Sequence, residues 1–467
     1  MTIIERLRAM RDGDVPTHGG RTLAYVYDSG LSEADAIGRE ALTMYASSNG
    51  LDPTAFPSLL TMENDLIDTA AGMLDAPASA VGTVTSGGTE SILLAVQSAR
   101  DGRPNVRNPV MVLPTSAHAA FHKAAHYFGV ERRMVDVDPT TLRADATAMA
   151  DAIDSDTVLV VASAPSYAHG VVDPVAPIAQ AASAAGIRCH VDACIGGWVL
   201  PYLPTPPTGP WTFAVDGVTS ISVDLHKYAY TPKGVSVLLH RDPSLRRSQF
   251  FASADWPGYT MLNATTQSTK SGGPLAAAWA VVQHIGTDGY AELSRAARAG
   301  VETLVDGITA NEHMTLAAQP DSTLVAVETD TTCDVFTIAD AMLDRGWYVQ
   351  PQLSYRGRPP SLHLTVSAAT SPHVPEFLTA LSVAVTDAVN AGPVDVAPEL
   401  AAAAQSIDPA SLDDAAFDGL LEVAGLGGPG AVAMPERMAP VNALLDAAPP
   451  ALREALLIAY LDRLTRR

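Results

Sequence analysis

The string Ser222-Val223-Asp224-Leu225-His226-Lys227-Tyr228, followed by Pro232-Lys233-Gly234, sets a lysine beside a histidine just after the strand-like run Gly217-Val218-Thr219-Ser220-Ile221. An amine at a strand end stands where α/β proteins bind ligands. Held close and partly desolvated, it can form a Schiff base with an aldehyde, although a surface His-Lys pair would read the same by itself. Upstream, Cys189-His190-Val191-Asp192-Ala193-Cys194 puts a carboxylate directly after a short apolar strand. Such an acid suits a protonated ring nitrogen; helix N-capping is the ordinary alternative. Thr85-Ser86-Gly87-Gly88-Thr89-Glu90-Ser91 then runs straight into the apolar residues Ile92 to Val96. Its glycines and the following helix N-terminus can cradle a phosphate, or form a plain turn with a Thr cap. His118, in Ser116-Ala117-His118, could stack on a ring. Taken in order, cradle, histidine, aspartate and lysine meet the needs of pyridoxal 5′-phosphate (PLP), with Lys227 carrying it.

These residues need elements that bring strand ends together. From Pro57 to about Gly289, apolar runs such as 110–113, 158–161 and 235–239 alternate with helix-like stretches such as 90–100 and 176–185. That alternation predicts a largely parallel sheet covered by helices. The expected organisation is an N-terminal arm with turns over 1–55, a large cofactor-binding domain over 56–289 and a smaller α/β domain over 290–392. The smaller domain would use 324–327 and 362–366 as strands. The tail 393–467 is rich in Ala and Pro, contains the turn-like Gly425 to Gly430, and closes on an amphipathic helix over 451–464.

Composition narrows the function further. The 467 residues hold 29 Lys plus Arg against 51 Asp plus Glu, a formal charge of −22, which disfavours nucleic acid and anionic membrane surfaces as partners. Any phosphate on a ligand therefore needs a locally basic pocket. Cys189, Cys194 and Cys333 show no metal-ligand spacing and suit a reducing cytoplasm. No apolar leader and no run long enough for a bilayer span is evident.

On these strings, together with His169-Gly170-Val171-Val172-Asp173-Pro174, the chain resembles the fold-type I PLP enzymes. Within them it is most similar to the sphingosine-1-phosphate lyase group of the group II decarboxylase superfamily. The resemblance implies a large, mainly parallel sheet domain with a smaller C-terminal α/β domain, and a homodimer whose active sites lie at the subunit boundary. By position it implies that Lys227 carries the cofactor, Asp192 pairs the pyridine nitrogen and His118 stacks on the ring. Gly88, Thr89 and His226 would hold the phosphate, with Thr269 a further cofactor contact. Tyr27, Asn49, Tyr167 and Lys233 match residues used for substrate phosphate and chemistry.

Two departures from the group stand out. Its Asn-Pro-Leu-His-Pro pattern reads Asn49-Gly50-Leu51-Asp52-Pro53, so an acid that repels phosphate stands where a histidine is expected. Asp52 could instead meet an amino group. The Gly-Ser-Arg-Pro-Gly-Gly pattern reads Ser268-Thr269-Lys270-Ser271-Gly272-Gly273, which keeps a positive charge at Lys270 without the planar fork of arginine. The expected reaction is retro-aldol cleavage of an amino alcohol to an aldehyde and an amine. An amino-acid decarboxylase is the alternative, and a catalytically silent PLP-fold binding protein is the alternative outside enzymes.

Overall fold

The computed structural model describes residues 1–397, 402, 404–423, 427–428, 431–432 and 437–466. The main sheet has seven strands: β1 (Val81–Thr85), β2 (Val110–Pro114), β3 (Glu131–Val135), β4 (Thr157–Ser163), β5 (Arg188–Asp192), β6 (Val218–Asp224) and β7 (Ser236–His240). Their spatial order is β1-β7-β6-β5-β4-β2-β3. Strands β2 to β6 run parallel, with β4 between β2 and β5. β7 is antiparallel to both β6 and β1. Those two reversals cancel, so β1 points the same way as β6, and the carboxyl ends of β1, β2, β5 and β6 emerge on one edge. Ligand sites of open α/β sheets form there.

The central strands are apolar throughout because helices cover both faces. Every residue of β2 and β4 is buried. One core cluster gathers Val160, Ala162, Val191, Ile221 and Val223, and a second gathers Met111, Leu113, Val161 and Phe121. Period-two alternation sends successive residues of one strand into different clusters.

Residues 1–55, read from the sequence as an arm with turns, contain two helices, α1 (Ile3–Arg11) and α2 (Ser32–Met44). α1 is opened by a reciprocal capping box between Thr2 and Glu5. Its apolar residues Ile3, Ile4, Leu7 and Met10 are exposed, so the capping chemistry, rather than a buried stripe, marks this helix. Further helices relevant to the site are α3 (Pro57–Met73), α4 (Gly88–Asp101) and α5 (Ala120–Phe128). β6 continues through Ser222-Val223-Asp224, so Asp224 belongs to the strand itself.

The chain forms two compact units. The first comprises residues 1–305, 317–326 and 365–374; the second comprises 306–316, 327–364 and 375–467. Residues 1–55 and 290–305 thus lie in the first unit, and the tail lies in the second. A four-stranded sheet has the order Met314–Leu316, Leu324–Thr329, Ser361–Thr365, Gln350–Gln352. The tail carries helices Asp414–Val423, Ala439–Ala447 and Pro450–Thr465. Of the expected turn at Gly425 to Gly430, only Gly427 and Gly428 lie within the described residues. No described helix is long and apolar enough to cross a membrane.

Gly170 tests how tightly the segment after β4 is held. It adopts φ +72°, and a Cβ there would lie 2.2 Å from the carbonyl oxygen of Leu324. Gly170→Ala is expected to lower the unfolding free energy by about 2 kcal/mol or more, measured by denaturant titration.

Candidate active site

The loop after β6 presents Lys227. Three tyrosine hydroxyls fix its backbone: Tyr228 donates to the Val366 carbonyl at 2.8 Å, Tyr290 donates to Ala229 at 2.8 Å, and Tyr230 accepts from the Ala368 N–H at 3.1 Å. The Lys227 ammonium lies 3.1 Å from Asp224 Oδ2, with 24% of its side chain still exposed to the cavity and Asp224 almost wholly buried. Burial alone would push the lysine pKa down, but the negative charge of Asp224, with that of Asp192 behind it, outweighs it and the value rises. Burial likewise opposes ionisation of Asp224, yet Lys227 and His226 hold its pKa below the ordinary carboxylate value. Both shifts describe one ion pair. Asp224 was not among the expected site residues, although its place three residues before Lys227 at a strand end was a usable signal.

A cavity of about 380 Å³ opens above this pair, lined by Ser86 to Glu90, His118, Tyr167, Asp192, Cys194, Asp224, His226 and Lys227. Asp192, the last residue of β5, reaches it with its Oδ1 accepting from the Cys194 N–H at 3.1 Å. His118 Nδ1 accepts from the Ala120 N–H at 3.1 Å, leaving Nε2 to carry the proton of the neutral ring. Burial lowers the His118 pKa. Its ring meets Tyr167 edge-on, with centroids 6.0 Å apart, and burial raises the Tyr167 pKa. His226 Nδ1 accepts from the Val235 N–H at 3.3 Å, which turns Nε2 toward Asp224 at 3.6 Å.

The glycine turn is shaped to cradle an anion. Gly87 supplies no side-chain cap to α4, so the first N–H groups of that helix are left for a ligand. A Cβ on Gly88 would lie 2.7 Å from Asp224 Oδ2 and 2.8 Å from Cys194 Sγ. Only glycine lets the helix start come this close to the wall beside Lys227. The helix N-terminus, His226, Lys227, His118 and Asp192 therefore fit PLP: an anion cradle, an amine, a ring partner and a carboxylate around one cavity.

The other expected contacts fall into two further groups. Lys233 donates to the carbonyls of Val26 at 2.6 Å and His226 at 2.7 Å, and lies 4.2 Å over the Tyr27 ring. Burial, then the charge of Lys227, pushes its pKa down to about 8. Asn49 and Lys270 sit together: Asn49 Oδ1 accepts from the Lys270 N–H at 3.1 Å, and Gly50 N–H donates to the Lys270 carbonyl at 2.7 Å. Lys270 Nζ pairs with Glu63 at 2.8 Å. Thr269 is exposed in the same segment. Asp52 is exposed, and its Oδ1 accepts from the N–H and hydroxyl of Thr54 and the Ala55 N–H. The Thr54 hydrogen bonds hold its pKa below the usual value. None of Tyr27, Asn49, Asp52, Lys233, Thr269 or Lys270 lines the cavity around Lys227. Glu90, also unforeseen, links the groups: Oε2 accepts from the Ser86 N–H at 2.7 Å, and Oε1 accepts from the Thr266 N–H at 2.9 Å. A smaller cavity of about 160 Å³ shares Ser86 and Glu90 and reaches Lys270.

The profile of the pyridoxal-dependent decarboxylase conserved domain matches residues 17–329. The chain belongs to that family. A second profile, for the C-terminal HTH-type domain of pyridoxal-dependent enzymes, matches residues 398–463. The chain is 35% identical to sphingosine-1-phosphate lyase from Dictyostelium discoideum, over 78% of this chain and 69% of that protein. It is 36% identical to sphingosine-1-phosphate lyase from Arabidopsis thaliana, over 76% and 66%. It thus spans about two thirds of the length of these relatives. Among solved structures, the sphingosine-1-phosphate lyase of Burkholderia pseudomallei superposes with a TM-score of 0.78 at 33% identity, covering 83% of this chain and 90% of that one. Glutamate decarboxylase from Lactobacillus brevis superposes with a TM-score of 0.74 at 21% identity and shares the fold. This member of the family is a PLP-dependent lyase of the sphingosine-1-phosphate lyase-like group.

If Lys227 carries the cofactor, borohydride reduction of the PLP-loaded protein followed by peptide mapping will find the pyridoxyl group on Lys227. Recovery on Lys233 or Lys270 would contradict the assignment. Lys227→Ala is expected to abolish turnover while retaining loosely held cofactor through the α4 cradle.

Proposed function

We propose that the protein cleaves the Cα–Cβ bond of an amino alcohol bearing an anionic group, releasing an aldehyde and an amine. The observation that carries this is the single cavity where Lys227, Asp192, His118 and the uncapped start of α4 meet Tyr167. Bound PLP supplies the electron sink for bond cleavage at the α-carbon. In this reading Asp192 keeps the pyridine nitrogen protonated, His118 stacks on the ring, and Gly88, Thr89 and His226 hold the phosphate. Asp224 holds Lys227 at the cavity floor and balances its positive charge whenever the amine is free. Tyr167, a phenol that stays protonated at neutral pH and is held more so by burial, binds the substrate hydroxyl.

Lys233 provides the charge for an anionic substrate group. Its ammonium is held by carbonyl oxygens, whereas the charge of Lys270 is paired with Glu63. The working unit in this proposal is a homodimer. The cluster of Asn49, Asp52, Thr269 and Lys270 lies outside the cavity of its own chain and would complete that of a second copy. The exposed Leu60, Phe250, Phe251, Trp256, Tyr259 and Leu262, near that cluster in sequence, support an interface there.

The test is product analysis by mass spectrometry after incubation with a phosphorylated long-chain amino alcohol and, separately, with common amino acids. Aldehyde from the first without carbon dioxide from the second is expected; carbon dioxide release from an amino acid would overturn the bond assignment. Asp52 decides how well phosphate is tolerated. Asp52→His is expected to lower KM for the phosphorylated substrate about fivefold. A variant that instead weakens only a non-phosphorylated amine would mean that the natural substrate lacks the phosphate.

A further inference from the structure

β5 and β6 are parallel neighbours in which His190 stands opposite Ser220, and Asp192 opposite Ser222. Residues two apart on a strand share a face, so all four side chains project from the same side of the sheet. They form a hydrogen-bonded series. Ser220 Oγ lies 2.9 Å from His190 Nδ1, and His190 Nε2 lies 3.2 Å from Ser222 Oγ. Ser222 Oγ in turn donates to Asp192 Oδ1 at 3.5 Å. The Cys194 thiol adds a donor to Ser222 Oγ at 3.2 Å.

Donor counting gives the series a direction. An ionised carboxylate only accepts and a hydroxyl has one proton, so the Ser222 proton points at Asp192. The lone pairs of Ser222 then receive the Cys194 S–H and the His190 Nε2–H. Nδ1 of the neutral imidazole is left to accept from Ser220. His190 and Ser222 are fully buried, and burial pushes the His190 pKa down to about 4, which keeps the ring in this neutral state. Asp192 Oδ1 is thus held by the Ser222 hydroxyl and the Cys194 N–H, which fixes the direction in which the carboxylate faces the cavity.

We propose that His190 is a positioning residue which, through Ser222, holds the Asp192 carboxylate in the orientation that pairs with the pyridine nitrogen of the bound cofactor and keeps it protonated. The proposal rests on the pairing of Asp192 with that nitrogen. A purely structural histidine, satisfied by two serines, would fill the same space without affecting the cofactor.

The two roles separate in the holoenzyme loaded with PLP labelled with ¹⁵N at the ring nitrogen. The ¹⁵N resonance reports protonation directly, independently of turnover. Ser222→Ala breaks the link by removing one oxygen, and His190→Leu removes the donor. Both are expected to move the resonance toward unprotonated pyridine and to lower kcat about tenfold with little change in KM. His190→Gln, which keeps an N–H near the Nε2 position, should restore both. If Asp192→Asn moves the resonance while Ser222→Ala and His190→Leu leave it in place, the relay is wrong and the pairing of Asp192 stands. If Asp192→Asn leaves it unmoved as well, the pairing itself fails and the relay with it. Should His190→Leu fail to fold, Ser222→Ala decides the question alone.

Discussion

The cavity depends on a constraint of strand polarity. Asp192 ends β5, Asp224 ends β6, and the glycine turn follows β1. These residues meet only because β7 reverses the chain direction twice between β6 and β1. With a single reversal, the start of α4 would emerge on the opposite edge, away from Lys227. A parallel sheet with buried faces also supplies the rigidity that the proposed pairing of Asp192 with a ring nitrogen would require. The tyrosines anchoring residues 228–230 extend that rigidity to the lysine loop.

Charge is handled locally in a chain whose formal net charge is −22. The cavity cation, Lys227, is balanced by Asp224, and Lys270 by Glu63. Lys233 is treated differently. Its ammonium sits between two carbonyls and over an aromatic face, contacts that solvate a cation without cancelling its charge. Such a site keeps an attraction for an anion where the global field opposes one. The histidines show the complementary strategy: burial lowers the pKa of His118, His190 and His226, so each offers fixed donors and acceptors.

Much of the site was legible in the sequence because its residues sit at punctuation points. Gly87-Gly88, Asp192 and Lys227 each follow an apolar run, and β-strand ends are easy to locate when the strands are buried on both faces. The periodicity that placed 110–113, 158–161 and 235–239 as strands reflects the same physics. Asp224 was missed although its short spacing to Lys227 was a usable signal for an ion pair. Glu90 was missed because its partner Thr266 is remote in sequence, and Glu63 because its partner Lys270 is as remote. The α1 and α2 helices were missed although their apolar residues recur at helical spacing, as Ile3, Ile4, Leu7 and Met10 do, and the Thr2-Glu5 capping pattern was a second usable signal.

By itself, the sequence determined the local chemistry: a lysine after one strand, a carboxylate after another, and glycines where a helix start must approach an anion. Those properties follow from residue type and short-range periodicity, which each segment carries independently. Only the tertiary structure decided which groups share a cavity. It placed His118, Tyr167, Asp192, His226 and Lys227 around one space and set Asn49, Asp52 and Lys270 apart from it. It also placed Ser220 and Ser222 against His190 through the register of β5 on β6. Register and strand order arise from packing between distant segments, and no local pattern along the chain encodes them.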